Sequence, residues 1–290
     1  MKVFLKIFFC LFLVNLFSIN FTFSQCPSNL SFDANNLSFW TFKTGSFAGF
    51  NASSPDYGAT YTTANTFNPV PANVSTLIYI PSSVPTTANG VRVIKAKPDN
   101  TPIYDSIVSS GGIYNVIKQV PNINGYQYSY SVKLGNNSTG RGAEQLVYRF
   151  KVPETNPNGS TLTTYNITYA YALILEAAGH GENDQPRFNA TVNDLSQPTS
   201  SQKIECASKQ YFVPTLNNDP TWINGGSMMY KNWQEVSFDV SQYAGKMIEI
   251  KFSVVDCSFG GHSGYAYVAL RNDGCGAGTI VGQTSRSGGC

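Results

Sequence analysis

Hydrophobic and polar residues alternate with a period of two along several stretches of the chain. The clearest of these stretches are 126–134, 146–152, 165–175 and 236–254. This period places one face of an extended strand in a core and the other face towards water or a second layer. The pattern therefore predicts amphipathic β-strands that follow one another along most of the chain.

Segments rich in Pro, Gly, Asn and Ser separate these strands, for example at 81–90 and 153–160. No stretch has a helical period of comparable strength. Many half-buried strands joined by polar loops favour an all-β fold, and we predict an antiparallel β-sandwich of jelly-roll type. The least regular region, 51–124, is interpreted as a polar insertion in this sandwich, with strands at 76–80 and 91–96.

The N-terminal segment has the pattern of a secretory signal peptide. Lys2 and Lys6 precede an apolar stretch at 7–13, which is too short to span a bilayer. We predict a leader over 1–24 and a mature chain that begins at Gln25 or Cys26. In the alternative interpretation, Cys26 is the acylated cysteine of a lipoprotein, although Gln25 is a poor residue for that cleavage site.

Charge is sparse and balanced. The chain has 19 basic and 17 acidic residues, and loss of the two leader lysines leaves 17 of each. This balance predicts no nucleic-acid partner, and no later apolar stretch predicts membrane insertion. We expect the sandwich to occupy 25–275 and a linker towards downstream domains to occupy 276–290.

One of the six cysteines lies in the leader, so an odd number remains. None of them has CxxC spacing, and no Cys/His group has the spacing of a zinc site. In an oxidising compartment the expected state is a disulfide. We predict the pairs Cys206–Cys257 and Cys26–Cys275, which leaves Cys290 for a partner in polypeptide beyond this sequence.

The two histidines of the chain each lie in a glycine-rich loop beside carboxylates. The candidate binding residues of the two loops are His180, Glu182, Asp184, Arg187, Asp256 and His262. One hypothesis places both loops at the same end of the sandwich, where they form a polar or metal-bearing pocket with Arg187. The alternative is a set of hydrogen bonds that stabilise the loops, with Arg187 paired to a buried acid such as Glu144.

The sequence contains no recognisable catalytic motif. It lacks HExxH, the G-x-S-x-G elbow and a phosphate-binding loop, and its carboxylates show no recognisable glycosidase pair. We therefore predict that the chain is not an enzyme.

Aromatic residues suggest a second kind of site, because their rings pack against the apolar faces of sugars. Trp40, Trp222, Trp233 and the many tyrosines are candidates for such a site, and the alternative is that most of them lie in the core. Trp233 precedes an alternating strand and is expected to be structural. Trp222 lies in the polar loop 218–226 and is predicted to be exposed, which makes it a candidate for sugar stacking.

Motifs at both ends of the predicted domain resemble known folds. The segment 29–40 (NLSFDANNLSFW) and the segment 233–245 (WQEVSFDVSQYAG) resemble the opening and closing strands of galactose-binding-like and MAM-like jelly rolls. The segments 179–188 (GHGENDQPRF) and 256–267 (DCSFGGHSGYAY) resemble the N-terminal domain of large Bacteroidetes surface proteins. Those proteins continue into PKD-type repeats and a gliding-motility-associated sorting domain for type IX secretion.

The resemblance to galactose-binding-like modules implies a structural calcium between an acid of the opening strand and an Asp of the last strand. Asp33 matches the first position, but Ala269 stands where the second Asp is expected. Asp273 lies close by and is the substitute candidate, so Asp33 and Asp273 are the metal candidates that the resemblance provides.

Together these features predict a noncatalytic adhesion module at the bacterial cell surface that contacts a glycan or another surface polymer. The adhesive role is implied by the resemblance. Two alternatives are a carbohydrate-binding module of a secreted glycoside hydrolase and a structural cap of a repeat-containing surface protein.

Overall fold

The computed structural model describes residues 27–35, 37–66, 90–105, 117–156, 159–213 and 221–273. The predicted leader, the predicted strand at 76–80, the pair Cys26–Cys275, Cys290 and the linker at 276–290 lie outside these ranges. Among the described residues, no helix is long and apolar enough to cross a membrane.

Extended strands dominate the described part of the chain. They are β1 (Trp40–Phe47), β2 (Ala59–Thr66), β3 (Val91–Lys95), β4 (Asn122–Ile123), β5 (Tyr126–Gln127), β6 (Tyr130–Asn136), β7 (Gly142–Lys151), β8 (Asn166–Glu176), β9 (Arg187–Asp194), β10 (Lys209–Phe212), β11 (Trp222–Gly225), β12 (Met228–Asp239), β13 (Met247–Val255) and β14 (Gly264–Asn272). Short 3-10 turns occur at Glu182–Asp184, Thr199–Ser201, Glu205–Ala207 and Ser241–Tyr243.

The strands form two six-stranded sheets and a small hairpin of β4 and β5. Sheet A has the order β10-β9-β13-β7-β1-β2, and sheet B has the order β11-β12-β8-β14-β6-β3. Neighbouring strands are antiparallel throughout both sheets. This arrangement confirms the predicted antiparallel sandwich of jelly-roll type.

The main core lies between the two sheets, where the predicted apolar faces meet. Leu146 and Phe252 of sheet A and Tyr169 and Leu173 of sheet B are fully buried in it. Rings of the two sheets touch there, with the centroids of Tyr169 and Phe252 5.4 Å apart. The period-two alternation therefore identified the core faces of β7, β8 and β13 correctly.

The stretch 126–134 differs from the prediction of one straight strand. The chain bends between β5 and β6, so Tyr126 is 42% exposed, whereas Tyr128 packs in a second cluster on the outside of sheet B. Val132 and Leu134 lie in the main core. Residues of one alternating pattern thus pack on both sides of sheet B, because the bend changes the direction in which the side chains point.

The outer face of sheet B is apolar and covered. Ala170, Ala172 and Tyr267 on this face pack against Ile117 and Val120 of the segment that precedes β4. This segment belongs to the region that was predicted to be a polar insertion. Its apolar residues lie against the sheet, and Lys118 and Gln119 remain partly exposed.

Candidate functional site

Two loops cross between the sheets at the same end of the sandwich. Residues 177–186 connect β8 to β9, and residues 256–263 connect β13 to β14. The last residue of β13 pairs with the first residue of β9, Val255 with Arg187. In sheet B, Gly264 pairs with Leu175. The antiparallel registers therefore bring the two histidine-bearing loops side by side.

Hydrogen bonds hold the loops to each other. The backbone N–H of Ser258 donates to the carbonyl oxygen of Asp184 at 3.2 Å, and the Ser258 hydroxyl donates to the Asp184 carboxylate. Within the first loop, Gln185 Nε2 donates to the carbonyl oxygen of His180 at 2.8 Å. The loop end is thus ordered by contacts between backbone and side chains.

A tight turn presents Phe259 at the tip of the second loop. The N–H of Gly260 donates to the carbonyl oxygen of Cys257 at 3.0 Å, and Gly260 has a φ of +79°, which glycine adopts without strain. A Cβ at this position would also lie 3.2 Å from Cγ of Arg141. Phe259 is 63% exposed, and its ring centroid lies 4.7 Å from that of His180.

His180, Cys257 and His262 form a compact cluster beneath Phe259. The two imidazole centroids are 5.1 Å apart, and Sγ of Cys257 lies 3.5 Å from Nδ1 of His262. One potential ligand atom of each residue lies within 4.8 Å of the others. Among the described residues, this is the group of three His, Cys, Asp or Glu side chains that is close enough to share a metal ion.

The predicted disulfide Cys206–Cys257 is wrong. Cys257 is a free, buried thiol, whereas Cys206 is disulfide-bonded. Cys206 follows Ile204 in the turn before β10, and Cys257 lies at the end of β13 among the histidines. The spacing of Cys and His residues along the sequence did not predict this cluster, because His180 belongs to a different loop from Cys257 and His262.

Asp256 lies below the cluster and binds the backbone. Its two carboxylate oxygens accept from the N–H groups of Gly142 at 2.8 Å and Gly264 at 3.1 Å. Burial raises the pKa of Asp256 to about 7. Burial, and the nearby charge of Asp256, raise the pKa of Glu144 to about 8. The two hydrogen bonds of Asp256 link the first residue of β7 to the first residue of β14.

Arg187 does not form the predicted ion pair with Glu144. Its guanidinium donates to the carbonyl oxygen of Glu182 and lies 4.1 Å from the ring centroid of Phe50. Arg187 is on the outer face of sheet A, while Glu144 points inward from β7, so the sheet separates them. Burial lowers the pKa of Arg187 to about 10.

Trp222 is not the exposed aromatic that the sequence predicted. It lies at the start of β11, pairs with Lys231 of β12, and is only 8% exposed in the main core. Trp40 is fully buried, and Trp233 packs against the outer cluster of sheet B, as expected for structural residues. Phe259, in the sequence Ser-Phe-Gly-Gly, is the most exposed aromatic residue among the described residues.

The two predicted calcium candidates lie away from this cluster. Asp33 is exposed. The Asp273 carboxylate accepts from the Thr168 hydroxyl at 2.8 Å and lies 3.3 Å from Nε of Arg271. The structural calcium stays a prediction.

No protein-family model matches the chain, and no curated protein matches it. Similar solved structures include TmCBM61 in complex with β-1,4-galactotriose, at 12% identity and a TM-score of 0.32 over 85% of this chain and 97% of that chain. Another is CBM27-1 of Caldicellulosiruptor saccharolyticus in complex with mannohexaose, at 9% identity and a TM-score of 0.27 over 62% of this chain and 96% of that one. The K3 cleaved adhesin domain of Lys-gingipain from Porphyromonas gingivalis has 10% identity and a TM-score of 0.26 over 63% and 89%. The two antiparallel sheets define the fold, and the residues of the loop end are the features that bear on function.

Proposed function

We propose that the protein is an exported, noncatalytic binding module of a bacterial surface protein and that its loop end contacts a glycan. The observation that carries this proposal is the exposed ring of Phe259, which is 63% accessible at the tip of an ordered loop. A large apolar side chain in this position loses contact with water when a ligand covers it.

The surroundings of Phe259 suit a sugar. Its ring offers an apolar face for the C–H groups of a pyranose, and the imidazole of His180 lies beside it. The side chains of Arg141, Glu182 and Asn183 are exposed on the adjoining loops. An aromatic face on a loop end that also exposes amide, carboxylate and guanidinium groups matches the mixture of C–H and O–H groups that sugars present.

The adhesive and cell-surface context is supported by the N-terminal leader pattern and by the family resemblance of the two histidine loops. The disulfide of Cys206 agrees with an oxidising compartment. In this proposal the module is one part of a longer surface protein, and the downstream domains are its covalent partners.

The test is a glycan array with the exported chain, followed by calorimetric titration of the best ligand. Phe259→Ala should weaken binding by at least about tenfold, because it removes the aromatic contact. The matched control is Phe39→Ala, an exposed phenylalanine (41%) at the opposite end of the sandwich, which should bind like the parent chain.

Equal affinity of the Phe259→Ala and parent chains for the selected glycan would reject this loop end as the site. Absence of binding across a broad panel of plant, algal and bacterial glycans would reject the glycan proposal and leave the structural cap as the better hypothesis.

A further inference from the structure

We infer that His180, Cys257 and His262 bind a zinc ion. This inference does not depend on the proposed glycan function, because it rests on the three side chains alone. Thiolate and imidazole are the ligands that Zn²⁺ prefers in proteins, while calcium prefers oxygen ligands.

The distances within the cluster are those of a site that is nearly assembled. Zinc–sulfur and zinc–nitrogen bonds of about 2.3 and 2.0 Å at a tetrahedral angle separate the two ligand atoms by roughly 3.5 Å. Sγ of Cys257 and Nδ1 of His262 are 3.5 Å apart. The remaining separations are at most 4.8 Å, so a side-chain movement of roughly 1 Å would complete the set.

An unpaired polar atom is the second observation. Nε2 of His180 is buried and has no hydrogen-bond partner in the part of the chain that the structure describes, although burial of an unpaired polar group costs free energy. Coordination of a metal would satisfy this nitrogen. Cys257 is likewise a free thiol in a chain whose Cys206 is disulfide-bonded, and a metal would protect that thiol from oxidation.

The neighbouring groups are arranged to hold the ligands in place. The N–H of Gly261 donates to Sγ of Cys257 at 3.3 Å and so orients the sulfur. The N–H of Cys257 donates to the carbonyl oxygen of His262 at 3.1 Å and so closes the second loop. The link between Ser258 and Asp184 fixes this loop to the loop of His180. Such outer contacts orient ligands in known metal sites.

Three protein ligands leave the fourth zinc position for a water molecule. On binding, the Cys257 thiol loses its proton to solvent and the sulfur bonds to zinc, so the affinity for zinc should fall as the pH is lowered. The ordered metal would also fix His180, against which Phe259 lies.

The experiment uses the exported chain, stripped with chelator and titrated with Zn²⁺ alone and with Co²⁺ alone. We expect one metal ion per chain, with the sulfur-to-cobalt charge-transfer band and tetrahedral d–d bands of a Cys/His site. Cys257→Ala and His180→Gln should each weaken zinc binding by at least about a hundredfold. Circular dichroism checks that each variant is folded, and His180, which is only half-buried, provides the variant less prone to misfolding.

Phe39→Ala is the control, because it changes an exposed ring at the opposite end of the sandwich, keeps all three ligands and should bind zinc like the parent chain. A folded parent chain that binds no zinc, or equal zinc affinity in His180→Gln, would overturn the inference. Zinc binding without glycan binding would reject the proposed function alone. Glycan binding by a chain that holds no zinc would reject this inference alone.

Discussion

The molecule contains two clusters of buried polar groups, which differ in whether their members are paired with each other. On the outer face of sheet B, Asp105 accepts hydrogen bonds from the hydroxyls of Tyr265, at 2.9 Å, and Tyr267. Nζ of Lys133 lies 3.7 Å from the centroid of the Tyr265 ring and adds a positive charge. At the loop end, by contrast, Nε2 of His180 has no hydrogen-bond partner among the described residues, and Cys257 is a free thiol.

The difference separates a structural cluster from a candidate ligand site. The carboxylate of Asp105 is paired with donors and attaches its own segment to the sheet, as buried polar groups usually require. The loop-end cluster contains one ligand-type atom, Nε2 of His180, that has no hydrogen-bond partner among the described residues, and it lies beside an exposed ring. A group that is costly to bury and is not satisfied internally indicates a partner from outside.

The largest effect that tests this contrast is expected from Asp105→Ala. The substitution leaves two buried hydroxyls without an acceptor, so the free energy of unfolding should fall by about 4 kcal/mol. Urea denaturation measures it. Asp99→Ala, in the same segment but exposed, should leave the midpoint unchanged, and a loss in Asp105→Ala no larger than in Asp99→Ala would show that the cluster does not hold the segment.

The second prediction concerns Glu144, which is buried without a cation. Its pKa is raised to about 8 from 4.5, so the folded chain holds this proton more tightly than the unfolded chain does. The group should therefore favour folding below pH 4.5, and this contribution should be lost as the pH rises to about 8.

Glu144→Gln removes this dependence. At pH 9 the variant should be more stable than the parent chain by about 2 kcal/mol, and its free energy of unfolding should fall less between pH 5 and 8. The exposed substitution Glu205→Gln is the control for loss of charge. Parallel pH profiles of the Glu144→Gln and parent chains would contradict the burial argument.

A smaller effect is expected from Ser258→Ala, which removes the side-chain link to Asp184. The free energy of unfolding should fall by about 1 kcal/mol, and zinc affinity should fall by about tenfold because the two loops are no longer fixed to each other. Thermal melting and zinc titration measure the two quantities. Ser201→Ala, at an exposed turn, is the control, and unchanged zinc affinity would show that this link does not order the ligands.

The smallest effect on stability is expected from Phe259→Ala. An exposed side chain contributes little to folding, so the change should stay within about 0.5 kcal/mol, while glycan binding is lost. Phe252→Ala in the main core should cost about 4 kcal/mol by comparison. A large loss of stability in Phe259→Ala would mean that the ring is structural.

Much of the fold could be predicted, because the alternation of apolar and polar residues within a strand shows which face of that strand is buried. The alternation of Tyr169, Tyr171 and Leu173 gave the core face of β8 directly. The same rule failed at Tyr128, where a bend turned the side chain to the other layer. The prediction that Trp222 is exposed failed for another reason. It relied on the polar flanking sequence, which does not show that a neighbouring strand covers the ring.

The candidate site was predicted only in part. His180, His262 and their acidic neighbours stood out as the chemistry-bearing residues of two glycine-rich loops, and the structure brings those loops together. Cys257 was assigned to a disulfide, since spacing along the chain cannot show which residues meet across two sheets. Phe259 was missed, because exposure of a single ring has no periodic signature.

The sequence by itself determined the strands, their inward faces, the class of fold and the loops that carry the polar chemistry, since these depend on the period of neighbouring residues. The tertiary structure decided that Cys257 lies among histidines and not beside Cys206, and that Phe259 and not Trp222 is exposed. Those outcomes depend on sheet register, because the pairing of β9 with β13 and of β8 with β14 places residues 54 or more positions apart in contact.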